Sequence, residues 1–127
     1  MEFFPKPILY LDATDFDDDG NLSNSILPKD KPVFVMIQAN YCSHCERAKV
    51  PYYKFAMNNL DSIICATIQG DSKIKEVVAL KDKMKKIYPN FYGFPSYLVF
   101  YKNQKLIYDG GRSEGELQAY LNKLLSS

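Results

Sequence analysis

Tryptophan is absent from this chain of 127 residues, and the sequence contains only three cysteines, one histidine and two arginines. Three thiols are too few for the disulfide-stapled scaffold of a small secreted domain. Without tryptophan, the ten tyrosines and eight phenylalanines must supply the aromatic packing. An excess of charge is missing too. Sixteen basic side chains against fifteen acidic ones leave a net +1, so no long-range attraction to nucleic acid or an anionic membrane is expected. The longest apolar runs, Val33 to Ile37 and Tyr97 to Tyr101, are five residues each, against about 18 for a membrane span. The opening Met1-Glu-Phe-Phe-Pro-Lys-Pro has no basic n-region and no small-residue cleavage site, so a soluble cytoplasmic or otherwise intracellular protein is expected.

What is present suffices for a folded core. Apolar residues make up 46% and aromatics 14%, which argues against disorder, and the length fits one domain of roughly 100–200 residues. No repeat, low-complexity tract or linker divides residues 1–127, read here as a single domain. Pro7 to Asp12 and Ser62 to Ile68 read as strands, the second closed by Gly70. Val33 to Gln38 is a near-continuous apolar strand of the kind buried on both faces. Cys42 to about Asn58 reads as a helix with Val50, Phe55 and Met57 among its apolar positions, kinked by Pro51. Residues 72 to 88 fit a helix through Ile74, Val77, Val78, Met84 and Ile87, its lysines a solvated face. Ser96 to Tyr101, a turn at Lys102 to Lys105, and Leu106 to Tyr108 form a hairpin. Gly110-Gly111 breaks the chain before a last helix, Ser113 to Leu125, with Ser113 as N-cap and Glu116 as its capping-box acid. Strands alternating with helices and ending in a hairpin imply an α/β fold, a central mixed sheet flanked by helices.

Chemistry concentrates in Tyr41-Cys42-Ser43-His44-Cys45, at the junction of a buried strand and a helix, where a Cys-x-x-Cys pair reads as redox-active. At a helix N-terminus, unpaired N–H groups and the macrodipole stabilise a thiolate over a thiol. Cys45, one turn later on the same face, can close a disulfide back onto Cys42. Cys42 is therefore the expected attacking sulfur and Cys45 the resolving one, with His44 a further positive or hydrogen-bonding group. Cys42, His44, Cys45 and Cys65 could in principle ligate zinc. Cys65 falls mid-strand, however, and no second ligand pair follows, so no metal is expected; Cys65 reads as an inert core thiol. Asp15-x-Asp17-x-Asp19-Gly20 imitates the front of a calcium loop, but Ile26 stands where the bidentate Glu belongs, leaving a solvated acidic turn. The single histidine already sits in the redox loop, so no Ser-His-Asp set is assembled. No glycine loop for phosphate appears, and no cofactor is expected. Gly93-Phe94-Pro95-Ser96 places a proline at the mouth of an apolar strand, a position that marks a special turn.

Together these residues resemble the thioredoxin superfamily, and within it protein disulfide isomerase-type domains, over about residues 7 to 125. The resemblance rests on Val33 to Ala39 followed by Tyr41-Cys42-Ser43-His44-Cys45, on Gly93-Phe94-Pro95-Ser96 with its strand, on Tyr108-Asp-Gly110-Gly111-Arg112, and on Glu116-Leu117 to Leu121. It implies a thioredoxin fold and a thiol–disulfide oxidoreductase with Cys42 as nucleophile and Cys45 as resolving thiol. Pro95 would be cis and packed on the disulfide, with the Phe94 backbone free to pair with an extended substrate and Tyr41 as a wall of the groove. Ser43 and His44 would tune the pair, and Arg112 would help the buried cysteine ionise. Implied partners are proteins carrying disulfides or thiols and a redox partner that recycles the pair; a monomer is expected. Four residues depart from the family pattern. Tyr41 replaces the usual Trp, and Met36 replaces the buried Asp or Glu that accepts the second cysteine's proton, so slow resolution is expected. Pro51 comes one residue late, and Phe94 is bulky enough to narrow the groove. These departures leave open a rival reading, a redox-inactive binding module acting around Pro95.

Overall fold

The computed structural model describes residues 4–23, 30–40, 42–80, 83 and 93–126. The elements run β1 (Leu9–Tyr10), a 3-10 turn (Ala13–Asp15), β2 (Val33–Gln38), α1 (Ser43–Met57), β3 (Ile64–Gln69), α2 (Lys75–Val78), β4 (Ser96–Tyr101), β5 (Gln104–Tyr108) and α3 (Glu114–Ser126). The five strands form one sheet in the order β1-β3-β2-β4-β5. β1 and β2 run parallel to β3, whereas β2–β4 and β4–β5 are antiparallel. The expected α/β fold with a mixed sheet is therefore present.

β2 lies at the centre and all six of its residues are buried, the outcome its uninterrupted apolar run predicts. Alternation along the strands sorts side chains to two faces. Phe34, Met36, Cys65, Tyr97 and Val99 face α1 and α3, where Cys45, Ala48, Tyr52, Phe55, Leu117 and Leu121 meet them. Val33, Val35, Ile37, Ala66, Ile68, Leu98 and Phe100 face Leu11, Phe16 and Leu80. In α1 the buried positions are Cys45, Ala48, Tyr52, Phe55 and Ala56, a stripe of three- and four-residue steps. Val50 and Met57, two of the apolar positions read along this helix, are exposed, because they fall on the opposite side of that stripe. Ile74 and Val78 are likewise exposed while Leu80 is buried. Met84 and Ile87 lie outside the described residues.

Tyr52 is the largest fully buried side chain. Its hydroxyl lies 3.0 Å from the Phe34 carbonyl and 2.8 Å from the Ala66 carbonyl, so the one proton is shared between backbone oxygens of β2 and β3. Around it tyrosine and phenylalanine do the work of the missing tryptophan. Ring contacts run from Phe4 to Tyr52, Tyr97, Tyr108 and Tyr120 and on to Phe34, at centroid spacings between 4.8 and 6.1 Å.

The acidic segment is a turn, as expected. Asp17 accepts the N–H groups of Asp19 at 3.0 Å and Asn21 at 2.8 Å, and the Asn21 bond foremost holds its carboxyl below the usual range. Gly20 takes the positive φ of 81° that this tight turn needs. Lys83 departs from the solvated role expected of its neighbours: its Nζ donates to the carbonyls of Ala13 at 2.9 Å and Phe16 at 2.6 Å, joining this segment to the helical position it occupies. The β4–β5 turn is shorter than expected. Tyr101 pairs with Gln104, leaving Lys102 and Asn103 at φ 51° and 61°, the double left-handed pattern of a two-residue hairpin. Ser113 caps α3, accepting the Glu116 N–H at 3.1 Å and donating to its carboxylate at 2.7 Å. Among the described residues no helix is long and apolar enough to cross a membrane.

Tyr52→Phe keeps the ring and removes only the buried hydroxyl. It should lower unfolding free energy by about 1–2 kcal/mol, read as a shift of the urea midpoint at unchanged slope; an unmoved midpoint would mean the shared bond contributes nothing.

Candidate active site

The chain leaves β2 at Gln38 and turns once before α1, with the Cys42 N–H donating to the Ala39 carbonyl at 3.2 Å. Cys42 lies outside the helix as its N-cap, with extended backbone at φ −92° and ψ 111°. Its sulfur takes the role that a hydroxyl oxygen plays in an ordinary cap, accepting the Cys45 N–H at 3.1 Å. The sulfur thus sits at the helix end where backbone donors lack intrahelical partners. On its other side the Phe94 carbonyl lies 3.5 Å away and accepts from the Cys42 thiol. The two contacts favour opposite states: a carbonyl accepts only from S–H, whereas an N–H donates best to an ionised sulfur.

The two cysteines differ sharply in access. Cys42 is half-buried, Cys45 and Cys65 are buried, and all three are free thiols. Burial pushes the Cys45 thiol up to about 12, the Cys42 hydrogen bond adds to the rise, and the nearby Arg112 charge opposes it. Burial raises Cys65 to about 12 as well. Cys65 faces the helical layer against the Tyr52 hydroxyl, consistent with a core thiol.

A polar chain ties the loop to the sheet. The Asn40 N–H donates to Asp71 at 3.1 Å, the Gln69 amide donates to the same carboxylate, and the buried Gln38 amide donates to Gln69 at 2.8 Å. The Pro95 loop closes the other side. The Phe94–Pro95 bond is cis, Pro95 is buried, and Ser96 Oγ donates to the Gly93 carbonyl at 2.7 Å. Two contacts place Phe94. Its carbonyl is met by the Cys42 thiol. Its ring lies over Gly70, in the space a Cβ there would take, so the bulk is absorbed by a glycine on β3's exit instead of narrowing the groove.

Arg112 follows a turn fastened by Tyr108, whose hydroxyl donates to the Gly111 carbonyl and whose ring covers Gly110. Exposed itself, Arg112 borders a cleft of about 230 Å³ with Pro95, Tyr97, Tyr108 and Asp109. Ser43 and His44 are exposed on the first turn of α1. Tyr41 lies outside the described residues. Met36 is fully buried and pairs across the sheet with Tyr97, so a thioether fills the place expected for a carboxylate in this family. Tyr97 and Tyr108 carry no mark in the composition; strand parity does point to Tyr97, which lies two residues after Pro95 and so on the same side of β4 as that proline. Among the described residues no group of three His, Cys, Asp or Glu side chains could hold a metal ion.

No family model matches the chain. It is 42% identical over 124 residues to a thioredoxin-like protein, 453L, of Invertebrate iridescent virus 6, covering 87% of each chain. The first thioredoxin domain of mouse protein disulfide-isomerase A4 superposes with a TM-score of 0.58 at 24% identity, over 74% of this chain and 63% of that one. The J-Trx1 fragment of ERdj5 gives 0.63 at 23% identity, over 94% of this chain and 52% of the fragment. This chain thus spans under two-thirds of those two structures, and at these identities they speak to the fold.

Iodoacetamide at pH 8 should alkylate Cys42 in the reduced chain and spare Cys45 and Cys65, as read by peptide mass mapping. Modification of Cys45 should rise only as pH climbs from about 9 towards 12, since burial keeps its proton on below that range. Equal labelling of Cys42 and Cys45 at pH 8 would contradict this.

Proposed function

Given that the chain belongs to the thioredoxin superfamily, we propose that it is a protein thiol–disulfide oxidoreductase working through a reversible Cys42–Cys45 disulfide. The observation that carries this reading is the cap itself: a half-buried sulfur holding the N–H of Cys45 at 3.1 Å, with the second thiol buried one turn behind it. In the reductive direction the Cys42 thiolate attacks a substrate disulfide and releases one substrate thiol. Cys45 then gives up its proton and attacks the Cys42 sulfur; the second substrate sulfur leaves and is protonated. The chain ends as a Cys42–Cys45 disulfide, returned to the dithiol by a recycling reductant. Run backwards, the same steps donate a disulfide. Proteins with accessible disulfides or thiols are the substrates, met around Cys42 and the Pro95 loop, and the chain acts as a monomer.

The environment of Cys42 bears on direction. A donor aimed at the sulfur stabilises the reduced form and makes the disulfide more oxidising, while the Phe94 carbonyl, which accepts from the S–H, favours the thiol over the thiolate within that reduced form. Titration in glutathione buffers at pH 7, with Cys65→Ser to leave two thiols, should show one reversible two-electron couple between about −270 mV, a thioredoxin-like reductant, and about −180 mV, a disulfide donor or isomerase. Cys42→Ser should abolish reduction of a protein disulfide, and Cys45→Ser should trap the mixed disulfide. Absence of a couple, together with an unimpaired Cys42→Ser chain, would favour the binding module instead.

A further inference from the structure

Resolution requires a buried thiol to lose its proton, and Cys45 sits where loss is hardest: fully enclosed and beside Met36, which offers no proton acceptor. One polar atom on the same face of the sheet is unaccounted for. The Tyr97 hydroxyl is buried and has no hydrogen-bond partner among the described residues. An orphaned hydroxyl costs free energy that a phenylalanine would avoid. The surroundings indicate what it is for. Tyr97 lies opposite Met36, its ring is held between Tyr52 at 5.9 Å and Tyr108 at 5.8 Å, and it lines the cleft bordered by Arg112. The titratable and charged groups facing it are Cys45 and Tyr52 from α1, Tyr108 from β5, and Arg112 from the turn before α3; Asp109 lines the same cleft, and Glu116 faces Tyr108.

We propose that the Tyr97 hydroxyl is the hydrogen-bond donor that turns to the Cys45 sulfur as this thiol ionises, and so sets the rate at which Cys45 closes on Cys42. The inference rests on the oxidoreductase reading above. The thiol state leaves the hydroxyl unpartnered; the thiolate state gives it an acceptor, so the interaction is made only as the reaction proceeds, which is what accelerates a step. Burial keeps the phenol protonated and therefore a donor throughout. In the step, Cys45 loses its proton and bonds to Cys42 Sγ, the bond from Cys42 to the substrate sulfur breaks, and that sulfur leaves with the electron pair and takes up the proton. Arg112, at the cleft mouth, adds its charge to the same end.

Stopped-flow reaction of the reduced chain with stoichiometric 5,5′-dithiobis(2-nitrobenzoate) separates the two halves, because attack by Cys42 and resolution by Cys45 each release one coloured thiolate. Tyr97→Phe removes a single oxygen and leaves the ring packing in place. It should leave the first release within about twofold and slow the second about three- to tenfold at pH 7. A hydrogen bond to a charged group changes the ionised fraction by about ten- to a hundredfold, and the greater nucleophilicity of the more basic thiolate recovers about half of that on a logarithmic scale. A second release that Tyr97→Phe leaves unchanged, or equal slowing of both releases, overturns the assignment while the oxidoreductase reading stands. A wild-type chain with no second release overturns both.

Discussion

The proposed redox chemistry requires α1 to be aimed with its N-terminus at the carboxyl end of β2, and one buried hydroxyl supplies a directional contact that helps hold it there. Tyr52 lies seven residues after Cys45 on the inward stripe of the helix and bonds to backbone oxygens of two adjacent parallel strands. Apolar packing alone would let a helix slide or roll on a sheet, since burial is non-directional. A hydroxyl shared between Phe34 and Ala66 removes that freedom at one point, and the aromatic row running from it through Tyr97 and Tyr108 extends the constraint to the turn carrying Arg112. The active end is thus positioned from beneath, through rings, rather than by the loop that bears the cysteines.

That arrangement makes the two sulfurs unlike. Cys42 is met by an N–H on one side and a carbonyl on the other, both backbone groups that cannot be altered by side-chain substitution at their own positions. Cys45 is enclosed by side chains: Met36, Tyr97 and the aromatic layer behind them. The first sulfur's environment is therefore a property of the fold, and the second sulfur's is a property of this particular sequence. Variation among chains of this type should accordingly tune the second half of the reaction more freely than the first.

How much of this could be read from the residues alone varies with the range of the interaction. The Cys-x-x-Cys pair, the buried central strand and the Ser113–Glu116 cap are local patterns, and each is realised. The two-residue turn at Lys102-Asn103 is only half marked: Asn103 tolerates the left-handed backbone, whereas Lys102, which shares it, does not advertise it. Val50, Met57, Ile74 and Val78 are apolar yet exposed, because phase decides burial: Tyr52 and Leu80 take the inward places. Phe94 lying on Gly70, Lys83 bonding to Ala13 and Phe16, and Tyr97 opposite Met36 join residues more than ten positions apart. Such pairings follow from topology, which no window along the chain contains.

Cys65 shows what burial does to the arithmetic of thiols. An odd cysteine in an oxidising reaction is ordinarily a fault, because one sulfur is always left to pair with the wrong chain. Here the third thiol lies in the core against the Tyr52 hydroxyl with its proton firmly held. For the proposed chemistry the folded chain therefore counts as having two sulfurs, and its odd one becomes chemically visible only when the core opens. Burial holds that proton on, against the pull of the Tyr52 hydroxyl beside it.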